Sequence, residues 1–372
     1  MIGVKYIGAL RDSSGYASSA RSNLRGLLSS GEIDLTAGCV SFERQKTSHG
    51  DGDRLVTSLI DRQVSHKIQI VHLTPDNFIS HRKPHGYNIG YAAWETDRLP
   101  DKWVDHCNSM NEIWVPSEWN VGVFSDSGVS VPIYCMPHII PPPSSGSVDE
   151  EVAIGDKDTF VFYSIFQWIE RKNPLCLLRA YLTEFEPDEP VALALKTYRL
   201  DTSEREQQLI RSDISAIKKS LRLPRTPPII FFSKLMTYQE IEALHRRGDC
   251  FVLPHKAEGF GIPIAEAMIH SKPTIATNYS GNLTFMTKQN SYLIDYQDSP
   301  VYGMIFGNYH GYMNWAEPSI GHLKKLMREV YENRKAAQEK ALLGKKTIEE
   351  GYNEQVIGRR MVNRLKEISK GL

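Results

Sequence analysis

Two glutamates and two glycines share one short stretch of this 372-residue chain, Pro254-His-Lys-Ala-Glu-Gly-Phe-Gly-Ile-Pro-Ile-Ala-Glu-Ala-Met268. Gly259 and Gly261 follow Glu258 closely and allow the backbone to approach a ligand. Pro263 suits an early helical position, which predicts a helix with Glu266 in its first turn. Because the N–H groups and positive dipole of a helix N-terminus attract anions, the stretch has the chemistry of a diphosphate site. The plain alternative is a turn in which Glu266 only complements the helix dipole.

Strands and helices alternate along the sequence, a pattern typical of a parallel sheet covered by helices. The stretch lies between a predicted strand, Cys250–Leu253, and a predicted helix, Ile262–His270. Further strands are predicted at Val4–Leu10, Lys67–Leu73, Tyr87–Ala93, Glu112–Val115, Thr159–Ile165, Val191–Lys196, Pro228–Phe232 and Thr274–Thr277. Further helices are predicted from near Ser14, over Pro174–Phe185, after a capping box at Thr237–Glu240, and as two helices that close the chain. Ligands bind at the carboxyl edge of such a sheet, so the loops after strands are the candidate sites.

The chain is long enough for two domains of roughly 100–200 residues each. Pro141-Pro-Pro-Ser-Ser-Gly-Ser147 has the composition of a linker. We therefore predict an N-terminal domain over residues 1–145 and a C-terminal domain over residues 146–350. Residues 351–372 are predicted to form a terminal helix with Ile357, Met361 and Leu365 on its apolar face.

Charge and cysteine content argue against several classes of function. Lys and Arg together number 44, as do Asp and Glu, so the balanced charge gives no support for a nucleic-acid partner. The five cysteines form no CxxC pair, which argues against a disulfide framework or a zinc site. They favour a reducing compartment, and we expect a cytoplasmic protein. No metal site is predicted, and no run of 18 apolar residues indicates a transmembrane segment.

Three stretches of the first domain could contribute to chemistry. Ser13-Ser-Gly-Tyr16 joins the first predicted strand to the first helix, although it lacks the GxGxxG pattern of a dinucleotide site. His72 ends a strand, where a lone histidine is more often structural. Trp94-Glu-Thr-Asp97 follows a glycine-bearing strand, and its two carboxylates beside an indole suit a sugar or hydroxyl site. An ion pair of Asp97 with a neighbouring arginine is the alternative for that loop.

The spacing Glu258-x7-Glu266, with Gly-Phe-Gly between, resembles the donor motif of the retaining glycosyltransferases of family 4, which have the GT-B fold. Other stretches of the second domain that resemble this family are Arg171-Lys-Asn-Pro174, Ser271–Asn282 and Trp315-Ala-Glu-Pro318. First-domain stretches similar to a bacterial and phage branch of the family are Tyr91–Pro100, Ile113–Ser117 and Met136-Pro-His138. The resemblance covers nearly the whole chain and is more specific in the second domain.

The resemblance implies an α/β protein with two Rossmann-like domains whose parallel sheets face a central cleft. It also implies that the C-terminal helix packs back on the N-terminal domain. Glu258 would hold hydroxyls of the donor sugar, and Glu266 would hold the ribose hydroxyls. Lys172 would neutralise the leaving diphosphate, with Arg171 as the second candidate. The other donor contacts implied near these groups are Gly15, Gly259, Phe260 and Gly261.

The sequence departs from the family at two positions. Many members carry an arginine shortly before the phosphate-binding lysine, where this chain has Phe166, and Lys196 could supply the second charge instead. Many members also have a functional histidine in the first domain, where this chain has the Trp94–Asp97 stretch. We therefore predict Glu95, supported by Asp97, at the reaction centre.

His72 is the alternative catalytic group, and the sequence leaves the choice between His72 and Glu95 open. The predicted acceptor contacts are Ser14, Tyr16, Trp94 and Glu95.

The predicted function is a hexosyl- or pentosyltransferase that moves a sugar from a nucleotide-diphosphate sugar to an acceptor hydroxyl. The family implies retention at the anomeric carbon, and neither a metal nor a cofactor is predicted because the nucleotide sugar is a co-substrate. A sugar-nucleotide epimerase on the same fold and a non-catalytic nucleotide-sugar-binding protein are the alternatives. The acceptor is expected to be a carbohydrate or another hydroxyl-bearing molecule.

Overall fold

The computed structural model describes residues 1–12, 14–41, 50–60, 62–144, 152–302 and 307–372. The chain divides into two compact units. The first unit comprises Met1–Pro142, Tyr302–Met313 and Glu349–Leu372, and the second comprises Pro143–Val301 and Asn314–Ile348. Residues 302–313 thus belong with the first unit, although the sequence placed them in the second domain. Ser13 and residues 145–147 of the predicted linker lie outside the described residues.

The first unit contains a parallel sheet in the order β2-β1-β3-β4-β5-β6. Its strands are β1 (Ile2–Gly8), β2 (Ile33–Cys39), β3 (Ile68–His72), β4 (Tyr87–Tyr91), β5 (Glu112–Val115) and β6 (Ile133–Cys135). The helices between them are α1 (Gly15–Ser29), α2 (Gly50–Leu59), α3 (Phe78–His81), α4 (Asp101–Asn108) and α5 (Glu118–Asp126). The order reverses between β1 and β3, where Gly8 and His72 are paired. Ligands bind at such a switch point in open α/β sheets.

The second unit repeats this architecture with a sheet in the order β12-β11-β10-β7-β8-β9. Its strands are β7 (Phe160–Gln167), β8 (Val191–Tyr198), β9 (Ile229–Phe232), β10 (Cys250–Leu253), β11 (Thr274–Thr277) and β12 (Tyr292–Ile294), and all pairs are parallel. An antiparallel hairpin follows, β13 (Tyr296–Pro300) and β14 (Asn314–Pro318). The helices are α6 (Pro174–Glu184), α7 (Glu204–Ser220), α8 (Tyr238–Arg247), α9 (Ile262–Ile269), α10 (Ile320–Glu332) and α11 (Arg334–Gly351). The switch point of this sheet lies between β7 and β10.

The terminal helix α12 (Glu354–Lys370) packs against α1 in the first unit. Its apolar face is buried in the core formed by β1, β3 and α1, as the periodicity of Ile357 and Met361 predicts. The two helices approach closely because both have glycine at the contact. A Cβ atom on Gly358 would lie 2.5 Å from the carbonyl oxygen of Gly26.

A buried ion pair also holds α12. Arg364 donates from Nη2 to Oε2 of Glu112 on β5 over 2.6 Å. The same carboxylate accepts hydrogen bonds from the indole of Trp114 at 2.7 Å and the hydroxyl of Tyr87 at 2.9 Å. A fully buried carboxylate is tolerated only when it is paired in this way, so the pair fixes the position of α12 on the sheet.

The predicted fold class is confirmed, since each unit contains a six-stranded parallel sheet with helices. The strands Cys250–Leu253 and Thr274–Thr277 have the predicted bounds. The prediction of two closing helices is wrong because α11 lies between them. Three of its four buried positions are the small residues Ala337, Ala341 and Gly344, which give little apolar periodicity. Among the helices of the described residues, none is long and apolar enough to span a bilayer.

Candidate active site

Two cations and a carboxylate converge at the switch point of the second unit. Residues 170–172 form a 3-10 turn after β7, and Glu258 lies in the loop between β10 and α9. The Lys172 ammonium contacts Oε1 of Glu258, and Nη1 of Arg171 lies 3.5 Å from Oε2. All three side chains are about nine-tenths buried, with side-chain exposures of 11%, 12% and 7%. The structure therefore joins the predicted phosphate cations to the predicted sugar-binding glutamate.

Backbone contacts hold this cluster in place. Nη1 of Arg171 donates to the carbonyl of Ala257 at 2.8 Å. The amide of Glu258 donates to Oγ of Ser280, and the amide of Gly281 donates to the carbonyl of Glu258, both at 2.8 Å. The loop after β11 thus supports the loop after β10. Ser280 and Gly281, which follow Thr277, thereby hold the backbone of Glu258 in position.

The neighbouring cations determine the protonation state of Glu258. Burial alone would raise the pKa of Glu258, but Lys172, Arg171 and His255 outweigh it and lower the pKa to about 2. Glu258 is therefore a carboxylate at neutral pH. Among these side chains two cations face one anion, which favours binding of a further negative group.

Helix α9 begins directly after the cluster. Gly261 caps it with φ +94, in the left-handed region that favours glycine. Glu266 is the fifth residue of α9 and therefore lies in its second turn, not in the first as predicted. Glu266 is partly exposed, and burial of its carboxyl raises the pKa to about 7. Phe260 is buried against Phe285, at 5.0 Å between ring centroids, so it shapes the loop through its ring.

The stretch 171–174 leads into the first helix of the second unit. Arg171 and Lys172 precede that helix, which begins at the predicted Pro174. Asn173 adopts φ 55 and caps α6 by accepting a hydrogen bond from the amide of Cys176. The left-handed residue turns the chain between the cations and Pro174, which is why the helix cannot start earlier.

Lys196 is buried near the carboxyl end of β8. Its side chain is 7% exposed, and Nζ lies 5.4 Å from the ring centroid of Tyr198. Burial lowers its pKa to about 8. The predicted second charge is thus present on the strand beside β7, where Ile165 pairs with Lys196.

His255 is a candidate residue that the sequence reasoning missed. It is fully buried in the loop after β10, and neither ring nitrogen has a hydrogen-bond partner among the described residues. Burial, opposed by Glu258 and reinforced by Lys172 and Arg171, lowers its pKa to about 3, so the imidazole is neutral. A polar group left unpaired in the interior is costly, which points to a role at the site. Its place directly after a central strand was the available signal.

The first unit places His72 in a buried aromatic cluster at its own switch point. Nδ1 of His72 lies 2.6 Å from the hydroxyl of Tyr6, and its ring stacks on Tyr91 at 4.1 Å between centroids. The hydroxyl of Tyr91 also lies 3.1 Å from Nδ1 of His138. Burial and the neighbouring His138 lower the pKa of His72 well below its usual value. The side chain is 1% exposed, which favours a structural role over contact with a ligand.

Glu95 is more accessible than His72. It is partly exposed, and its Oε2 accepts a hydrogen bond from the hydroxyl of Tyr309 at 2.9 Å. Asp97 lies 3.9 Å from Nε of Arg98, so the predicted ion-pair alternative is present. Trp94 is 3% exposed and its indole nitrogen donates to Thr96 at 2.7 Å. Its predicted contact with an acceptor stays a prediction, and its ring packs within the unit.

Ser14 and Tyr16, at the start of α1, make hydrogen bonds within the first unit. Oγ of Ser14 accepts from the amide of Ala17 at 3.3 Å and caps the helix that Gly15 begins. The hydroxyl of Tyr16 donates to the carbonyl of Ala93 and accepts from its amide, at 3.2 Å and 3.0 Å. Tyr16 therefore ties the start of α1 to the loop that carries Glu95.

One family model matches part of the chain. Residues 218–300 match the family model Glycosyl transferases group 1, and this segment contains Glu258 and Glu266. Among curated proteins, the chain has no match. The two parallel sheets are those of the GT-B fold of glycosyltransferases.

Three solved structures illustrate the likeness over the whole chain. Sucrose-phosphate synthase from Thermosynechococcus elongatus has a TM-score of 0.71 at 10% identity, with 100% of both chains covered. A glycosyltransferase from Rickettsia africae has a TM-score of 0.69 at 11% identity, with 100% of this chain and 99% of that chain covered. HepE from Anabaena, solved with UDP and glucose, has a TM-score of 0.66 at 11% identity, covering 99% and 100%. At these identities the neighbours show the fold, and the family match covers residues 218–300.

Proposed function

We propose that this protein transfers a sugar from a nucleotide-diphosphate sugar to the hydroxyl of an acceptor. The observation that carries the proposal is the contact of Glu258 with both Lys172 and Arg171 at the switch point of the second unit. Two buried cations beside one carboxylate suit a ligand that combines negative phosphates with sugar hydroxyls. A diphosphate sugar is such a ligand, and UDP is the proposed carrier because HepE is solved with UDP and glucose.

The cluster would act on the bond between the sugar and the diphosphate. Breaking that bond leaves negative charge on the phosphate and positive charge on the sugar ring. Lys172 would stabilise the phosphate charge, with Arg171 as the second cation and Lys196 as a more distant one. Glu258 would accept hydrogen bonds from sugar hydroxyls, while backbone groups at Gly259 and Gly261 leave room for the ligand. Retention of the anomeric configuration and independence of metal are part of the proposal.

Glu266 is proposed to accept hydrogen bonds from the ribose. Its carboxyl lies in α9, one turn beyond Gly261, on the helix that leads away from the phosphate-binding loop. A carboxylate accepts two hydroxyl donors at once, which matches a ribose diol. Gly15 is kept as a proposed donor contact on the basis of the resemblance alone.

Glu95 is proposed as the group that receives the acceptor hydroxyl, with Asp97 in support. Glu95 is partly exposed whereas His72 is buried within an aromatic cluster, and this difference favours the carboxylate. A carboxylate can accept the proton of a hydroxyl or steady positive charge on the sugar ring. His72 is the alternative candidate for the group that receives the acceptor hydroxyl. Ser14, Tyr16 and Trp94 are retained as proposed acceptor contacts.

Product analysis tests the proposed reaction. The protein is incubated with UDP-, GDP- and ADP-glucose, each with and without a panel of methyl glycosides, and products are followed by NMR. A new glycoside with the anomeric configuration of the donor, formed with UDP release, is expected. A changed sugar nucleotide formed without an acceptor would instead indicate the epimerase. Binding of UDP-glucose without any turnover would indicate a non-catalytic binding protein.

A further inference from the structure

Tyr309 lies in a segment that connects two strands of the second unit but belongs to the first. Residues 302–313 follow β13 and precede β14, and they group with the first unit. Tyr309 is 8% exposed, and Met313 is fully buried at the end of the same segment. The hydroxyl of Tyr309 contacts Glu95 in the loop after β4. The part of the segment that carries Tyr309 is thus anchored on the loop after β4.

The position of the Tyr309 hydroxyl is set by aromatic packing. The Tyr309 ring stacks on Trp94 with centroids 4.9 Å apart and planes 22° apart. Trp94 in turn meets Trp103 edge-on at 4.7 Å. The indole nitrogen of Trp94 is hydrogen-bonded to Thr96 and to the carbonyl of Arg98, both at 2.7 Å. Such a stack leaves the phenol ring little freedom to rotate or shift.

The hydroxyl held in this way donates to Oε2 of Glu95. A carboxylate has room for about four hydrogen bonds, so one bond to Tyr309 orients the group without exhausting it. Glu95 is partly exposed and Tyr309 is buried. A ligand can therefore contact the carboxylate of Glu95, whereas Tyr309 would affect the ligand through its hydrogen bond to Glu95.

We propose that Tyr309 is a positioning residue that orients Glu95 to receive the hydroxyl of the acceptor. This inference rests on the proposed function of Glu95. It assigns residues 307–313 a part in acceptor use that the motifs around Glu258 do not predict. A hydrogen bond to a charged group typically contributes enough for a change of about ten- to a hundredfold when it is removed.

The test compares Tyr309→Phe with Tyr302→Phe, a matched control in the same segment whose ring is 69% exposed. Initial rates of UDP release are measured with UDP-glucose while the concentration of a methyl glycoside acceptor is varied. Tyr309→Phe should lower kcat/KM for the acceptor by about tenfold or more and leave KM for UDP-glucose unchanged. Tyr302→Phe should behave as the wild type.

The same substitution is then made in a Glu95→Gln background. If Tyr309 acts through Glu95, Tyr309→Phe should have no further effect there, whereas a general structural defect would lower the rate in both backgrounds. Equal losses in the two backgrounds, or equal rates for Tyr309→Phe and Tyr302→Phe, would overturn the inference. Failure of the wild type to transfer sugar to any acceptor would overturn the proposed function as well, and that outcome is seen without any variant.

Discussion

Lys172 is the cation that contacts Glu258 most closely, and its removal is the sharpest test at the residue scale. Lys172→Ala should lower turnover by about a hundredfold or more, the size of effect seen when one preorganised donor to a developing charge is lost. Steady-state rates of UDP release measure this. Lys335→Ala, which alters an exposed lysine of the same unit, is the control and should leave turnover unchanged. A normal rate in Lys172→Ala with a loss only in Arg171→Ala would show that Arg171 carries the role.

The two glutamates of the donor motif should differ in kinetic effect. Glu258→Gln should mainly lower kcat, because this carboxylate is expected beside the reacting sugar. Glu266→Ala should mainly raise KM for the nucleotide sugar, since it is expected at the ribose. Both parameters come from rates at varied UDP-glucose. Full activity in both variants would remove the donor-site assignment.

The raised pKa of Glu266 predicts a pH dependence of binding. Its carboxyl titrates near pH 7 because burial disfavours the charge, and the ionised form is the better acceptor for ribose hydroxyls. The affinity for UDP-glucose should therefore rise as pH increases from about 6 to about 8, with release of a proton on binding near pH 7. Calorimetry in buffers of different ionisation enthalpy measures both effects. Glu266→Gln should remove the dependence, and an unchanged dependence in that variant would assign it to another group.

At the residue scale, the sequence predicted the members of the donor cluster but not their contacts. Lys172 and Glu258 are 86 positions apart, and only the rule that loops after parallel strands share one edge brings them together. His255 was missed because a single histidine beside a strand carries no spacing signal. The contact of Tyr309 with Glu95 spans 214 positions and follows no motif, so it required the structure.

At the element scale, the crossing of α12 over α1 depends on two glycines. An added Cβ on Gly358 would lie 2.5 Å from the carbonyl oxygen of Gly26, so the helices must separate or bend. Gly358→Ala should lower the free energy of unfolding by about 1–3 kcal/mol, the usual cost of overpacking. Gly351→Ala is the control, because nothing lies within 4 Å of the added atom. Urea denaturation measures the free energy of unfolding of both variants. Equal values would show that the contact between α1 and α12 accommodates the added methyl group.

Elements with a strong apolar pattern were predicted well, and those without one were not. β10 and β11 are central and buried, and their short apolar runs gave the observed bounds. Helix α11 buries mostly small residues and was missed. Glu266 was placed one turn too early, although the predicted start of α9 at Ile262 is the observed one. The predicted starts of α6 at Pro174 and of α9 at Ile262 are confirmed, and Asn173 and Gly261 directly before them adopt left-handed backbone conformations.

At the scale of the whole molecule, the proposed chemistry needs no metal to neutralise the diphosphate. Lys172 and Arg171 supply positive charge, and the N-terminus of α9 adds its dipole. Sugar transfer should therefore persist in excess EDTA at a rate close to that of the untreated protein. Rates before and after chelation, with magnesium and manganese added back, measure this. Loss of transfer that either ion restores would refute metal independence.

The central claim is that the switch point of the second unit binds a nucleoside diphosphate, and a calorimetric titration with UDP tests it most directly. UDP is the probe because every UDP-sugar contains it. The wild type and the control Lys335→Ala should bind UDP equally, whereas the double variant Arg171→Ala/Lys172→Ala should bind at least about a hundredfold more weakly, since each cation contributes a charge-assisted bond. The double variant should keep a wild-type far-UV circular dichroism spectrum. Equal affinity of the double variant and the wild type for UDP would contradict the account.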